Sequence, residues 1–110
     1  MHTRILAKRV AALALALGAL GGWASSGMAQ DYKARAWAAS CAGCHGTDGR
    51  SEADEFPALA GKPKADLLKS LMDFKSDTGT KKPTVMHQHA KGYSNEQLDR
   101  IADYFSRQKR

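Results

Sequence analysis

The sequence predicts an all-α domain of three to five helices, folded around one large prosthetic group. Three observations carry that prediction. No segment sustains the period-2 alternation of a strand. Two segments, residues 65–75 and 94–105, space their apolar residues at the helical period. The third observation is Cys41-Ala42-Gly43-Cys44-His45, a Cys-x-x-Cys-His run, the spacing with which a chain holds a c-type haem. Two thiols one helical turn apart each add to one of the haem's vinyl groups, and the adjacent imidazole reaches the iron as the proximal axial ligand. Cys-x-x-Cys alone also fits a thioredoxin-like redox pair or half of a zinc site. His45 weighs against both, and so does the lack of a second Cys-x-x-Cys and of any βαβ pattern.

The chain opens with a basic stretch, Met1 to Arg9, that holds Arg4, Lys8 and Arg9 and no acid. Val10 to Leu20 is then built only of Ala, Leu, Val and Gly, and Gly27-Met28-Ala29 supplies small residues around Met28. This is the layout of a secretory signal peptide over residues 1–29, with cleavage expected before Gln30. The apolar run is shorter than the ~20 residues that span a bilayer. Retention as a membrane anchor, extended by Ile5, Leu6 and Trp23, is the alternative. The remaining domain, residues 30–110, is small enough that its own apolar core is marginal. A covalently held haem supplies the missing apolar body, as disulfides or metals do in other short chains.

Asp31 to Ser40 is rich in Ala and begins with an acid, which predicts a helix capped near Asp31 and running into the cysteine motif. Ala34, Trp37 and Ala38 share a face with Cys41. Gly46 and Gly49 break the helix, a polar loop follows to Glu55, and Phe56-Pro57-Ala58-Leu59-Ala60-Gly61 forms a small apolar loop. Pro63 sits where a helix can start. Residues 65–75 then carry apolar side chains at 67, 68, 71, 72 and 74, with Met72 at a core position of that helix. Asp77 to Lys82 reads as a loop. Ser94 and Gln97 have the spacing of a capping box, and Leu98, Ile101, Ala102 and Phe105 make the stripe of the final helix.

A six-coordinate haem needs a second axial ligand. Met86 follows Pro83-Thr84-Val85 in what reads as a loop, where a lone thioether has little packing to do. A thioether favours reduced iron and raises the potential. His87 and His89 are the rivals; their plainer reading is as solvated surface histidines.

Formal charge is +6 for the whole chain. Without the first 29 residues, 14 Lys and Arg stand against 11 Asp and Glu, a formal +3. No basic stripe interleaved with aromatics is present, so no nucleic-acid partner is expected. Lys62, Lys64, Lys81, Lys82 and Lys91 flank the loops expected around the haem and offer either a steering patch for an acidic partner or plain solvated surface.

The Cys41–His45 run with Gly46-Thr47-Asp48-Gly49, then Phe56–Gly61, Pro83–Met86 and the Tyr93-Ser94 helix start, resembles the class I c-type cytochromes in order and over nearly the whole domain. The resemblance implies a small class I cytochrome c fold with one covalent haem c. It implies that Ala34 and Ala38 of the first helix meet Ile101, Ala102 and Phe105 of the last. It further implies that the Pro57 carbonyl accepts from the proximal imidazole and that Leu59 packs on the haem face. The cofactor-binding set is then Cys41, Cys44, His45, Pro57, Leu59 and Met86, with His45 and Met86 on the metal.

Thr84-Val85-Met86 with Ala90-Lys91-Gly92-Tyr93-Ser94 is most similar to the cytochrome subunit of flavocytochrome c sulfide dehydrogenase. That likeness implies a periplasmic one-electron carrier fed by a flavoprotein (FAD) subunit that oxidises sulfide, not catalytic alone. The alternative is a free soluble cytochrome c shuttle to a terminal oxidase or other acceptor. A five-coordinate haem enzyme or sensor, and a haem-free thiol-redox protein, complete the readings.

Overall fold

A computed structural model describes residues 32–79 and 82–110; the expected signal peptide, Asp31 and Lys81 lie outside the described residues. The described residues form helices and loops, with no strand among them. Helix α1 occupies residues 32–39, α2 is Ala42–His45, α3 is Lys64–Lys75, α4 is Val85–Lys91 and α5 is Asn95–Ser106. A short 3₁₀ turn, Thr47–Gly49, follows α2.

Helix α5 is set by its ends and its stripe. Ser94 caps it by accepting from the Gln97 backbone N–H (3.1 Å), and the Gln97 side chain accepts from the Ser94 N–H (2.8 Å). Leu98, Ile101, Ala102 and Phe105 are all buried, as the i, i+3, i+4, i+7 spacing requires. They form one core cluster with Ala38, Cys41 and Leu67. Ala34 is buried too. The small residues of α1 thus let it come close to α5, where longer side chains would hold the two apart.

Helix α3 packs against both α5 and α4, and starts directly after Pro63. It uses two apolar faces. Leu68 and Met72 lean on the core cluster, which agrees with the core reading of Met72. Leu67, Leu71 and Phe74, at i, i+4 and i+7, line an internal cavity.

The expected loop around Met86 is helical. Met86 is the second residue of α4. Thr84 precedes this helix in extended conformation, and its N–H donates to His87 Nδ1 (2.9 Å). The imidazole takes the place that Glu or Gln holds in an ordinary capping box. His87 is therefore not a solvated surface histidine: it is 2% exposed and sits edge-on to Phe74, ring centres 5.2 Å apart.

Candidate functional site

The cysteine motif sits where α1 ends and the short α2 begins. Cys41 flanks α2, Cys44 and His45 lie within it, and Gly46 ends it with φ 78°. One turn of helix separates the two thiols and brings them to the same wall of the cavity, whose volume is ≈ 740 Å³. Cys41 is buried, Cys44 is exposed, and they are not joined to each other. Burial pushes the Cys41 thiol up, partly offset by the neighbouring Ser40 hydroxyl and reinforced by Cys44. Reactive redox cysteines have the opposite setting, with the thiolate favoured. This argues against the thiol-redox reading.

His45 is 7% exposed, and its Nδ1 lies 2.7 Å from the Pro57 carbonyl oxygen. A carbonyl only accepts, so Nδ1 carries the hydrogen and Nε2 keeps its lone pair for a metal. The Phe56 ring packs edge-on against the imidazole, centres 6.2 Å apart. The loop that presents Pro57 is closed at its base by one carbonyl. Gly49 O accepts from both Leu59 N (2.8 Å) and Ala60 N (3.1 Å). Gly49 has φ 78°, and a Cβ there would lie 2.8 Å from Phe105 Cδ1, so only glycine lets this turn sit against α5. Asp48, with φ 54°, is bonded to the Tyr104 hydroxyl, which ties the same turn to α5 a second time.

Cys41, Cys44, His45, Pro57, Leu59 and Met86 all line the one cavity. Leu67, Leu71, Phe74, Ile101 and Phe105 are among the other lining residues, and the wall is largely apolar. The cavity falls within the ~300–1,000 Å³ of small-molecule and cofactor sites. Paired thiols, a buried imidazole with a free lone pair, a thioether and an apolar wall together fit a covalently held haem. Among the described residues no cluster of three or more His, Cys, Asp or Glu offers an alternative metal centre. His89 also lines the cavity, through a side chain held by Ser40 (Nε2 to Oγ 3.2 Å). Two of the five lysines considered for steering are already in ion pairs, Lys64 with Asp99 (2.9 Å) and Lys91 with Asp77 (2.8 Å). The patch is correspondingly weaker than the sequence suggests.

Residues 33–109 match the family model described as "Cytochrome c". The cytochrome subunit of sulfide dehydrogenase from Chlorobaculum tepidum is 48% identical over 66 residues, covering 60% of this chain and 57% of that protein. Cytochrome c4 of Pseudomonas aeruginosa is 38% identical over 102 residues, covering 93% of this chain and 49% of its own length. The chain thus spans about half the length of these two relatives. Cytochrome c-553 of Nitratidesulfovibrio vulgaris is 36% identical over 106 residues, covering 94% of this chain and 97% of that protein. The chain belongs to the cytochrome c family: it is an all-α electron-transfer protein of the class I type that carries covalent haem c, with Cys41-x-x-Cys44-His45 as its attachment motif.

Proposed function

We propose that this chain is a periplasmic one-electron carrier with His45 and Met86 as axial ligands, and that its electrons come from a flavoprotein sulfide dehydrogenase subunit. The observation that carries the ligand set is one cavity lined by both residues, with His45 Nδ1 committed to Pro57 O at 2.7 Å. The haem iron supplies the redox chemistry, one electron taken and given per cycle. The chain's residues do the rest. Cys41 and Cys44 hold the group at two points, and Pro57 fixes the imidazole plane and its basicity. The Met86 thioether favours the reduced state. Leu59, Leu71 and Phe74 keep water from the site. With His45 and Met86 both holding the iron, small-molecule chemistry at the metal would be disfavoured. Exposed Phe56 and Val85, both at the cavity, provide apolar contact for a redox partner.

The flavoprotein partner rests on the 48% identity to a sulfide dehydrogenase cytochrome subunit. The second reading, a free shuttle, is favoured by the cytochrome c-553 match, which covers 97% of that protein. Gentle purification from the native source separates the two. Haem and flavin absorbance co-eluting in fixed ratio, with the haem reduced on adding sulfide, is the expected result. Haem alone in a particle of one small domain would overturn the flavoprotein assignment. Export is read at the same time, since N-terminal sequencing of the purified chain is expected to start at Gln30.

A further inference from the structure

One polar junction outside the ligand set ties together the elements that build the site. Ser40 follows α1 and directly precedes Cys41. Its Oγ lies 2.9 Å from the Trp37 carbonyl oxygen, 2.6 Å from the Tyr93 hydroxyl and 3.2 Å from His89 Nε2. A carbonyl only accepts, so the serine hydrogen goes to Trp37. The two lone pairs of Oγ then take the phenol hydrogen and the His89 Nε2–H, and Cys41 Sγ lies at the edge of the same group, 3.9 Å from Oγ. The phenol's other acceptor, Trp37 O, is further away at 3.5 Å.

The partners of Ser40 sit at consequential places. His89 lies on α4 three residues beyond Met86, on the same side of the helix, and both line the cavity. Tyr93 lies between α4 and α5; its carbonyl accepts from Lys75 Nζ of α3 (2.6 Å), and its ring leans on the core cluster. One hydroxyl thus joins the helix that carries Met86, the turn after it and the segment that leads into Cys41.

We propose that Ser40 is a positioning residue for the distal ligand: through His89 and Tyr93 it fixes α4 against the Cys41–His45 segment and so sets how firmly Met86 is held on the metal. This rests on the reading of Met86 as the sixth ligand. Without the clamp, α4 is held chiefly by its packing on α3, and Met86 gives way more readily to a competing ligand.

The test titrates the oxidised, haem-loaded full chain with imidazole, and measures midpoint potential and thermal unfolding alongside. Ser40→Ala and Tyr93→Phe are each expected to bind imidazole about three- to tenfold more tightly than the native protein, the range that loss of one or two modest hydrogen bonds gives. Both should lower the potential, and Ser40→Thr, which keeps the hydroxyl, should restore native behaviour. Unchanged imidazole affinity and potential in both variants, even with a lower unfolding midpoint, would overturn the clamp and leave Ser40 a merely structural residue. Met86→Ala separates the two layers. If the native protein binds imidazole as readily as Met86→Ala does, Met86 is not the ligand and the underlying reading falls. If the native protein resists imidazole and Ser40→Ala resists it equally, only the clamp falls.

Discussion

Pro57 contributes to the site through its backbone. Its carbonyl fixes the His45 ring, so the side chain at 57 matters mainly for the shape of the loop, and the glycine that closes the loop matters more. Gly49→Ala forces a Cβ to within 2.8 Å of Phe105 Cδ1 and 3.0 Å of Ala60 N, at a φ of +78°. The expected cost is about 2 kcal/mol or more, read as a lower unfolding midpoint with a disturbed haem spectrum. Met86→Ala is expected to leave haem covalently bound and to lower the potential by on the order of 0.1 V, part of the ~0.8 V range that axial ligands command; protein-film voltammetry gives the value. An unmoved potential removes Met86 from the ligand set. Tyr104 offers a pH test. Burial first, then its bond to Asp48, hold the phenol above its ordinary value. Its stabilising contribution is therefore complete below pH ~10 and is lost as the pH rises past that value. Tyr104→Phe should flatten the fall of the unfolding midpoint as the pH rises above the ordinary phenol value. At this scale the sequence was most legible where chemistry dictates spacing, as in Cys41, Cys44 and His45. Pro57 was reached only through resemblance, because a carbonyl acceptor leaves no mark on residue type. The Ser40–His89–Tyr93 junction was missed for a related reason: its members are far apart in the chain and each is ordinary alone.

The helices divide into those that announce themselves and one that does not. Helix α5 has a capping box at its start and an unbroken stripe, and both appear where the spacing puts them. Ser94→Ala is expected to cost about 1 kcal/mol, read from a urea unfolding midpoint at unchanged slope. Helix α3 begins after Pro63 and carries all five of its apolar positions onto the core or the cavity. Helix α4 was illegible. Seven residues are too few to show a period, Pro83 stands just before it, and its cap is a histidine where a Glu or Gln would be the sign to look for. The consequence is functional. Met86 is carried on a short capped helix, and His87, by holding the helix start to Thr84, also holds the thioether's place.

At the scale of the domain, large side chains are scarce in the core of the described residues: Leu98 and Ile101 are the largest that are fully buried. Alanines make up much of the rest of the core. Leu59, Leu71, Phe74 and Met86 instead line the cavity and stay partly accessible in the chain by itself. A haem in this cavity would complete the core rather than add to it, which the small size of the domain already implied. A chain with Cys41→Ala and Cys44→Ala, made without haem, is expected to lose its cooperative thermal transition and most of its slow amide exchange while keeping part of its helical circular dichroism. A sharp unfolding transition in that variant would show that the polypeptide completes its own core. The two buried histidines give this architecture a reporter of its own. His45 bears its hydrogen on Nδ1, because Pro57 O only accepts, whereas His87 must leave Nδ1 bare to accept from Thr84 N–H. They hold opposite tautomers, so a long-range ¹H–¹⁵N spectrum of the reduced protein carries two imidazole patterns of different shape. One follows the loop that carries Pro57 and the other follows the start of α4, and a single sample shows which of the two yields first when the protein is heated, mutated or bound.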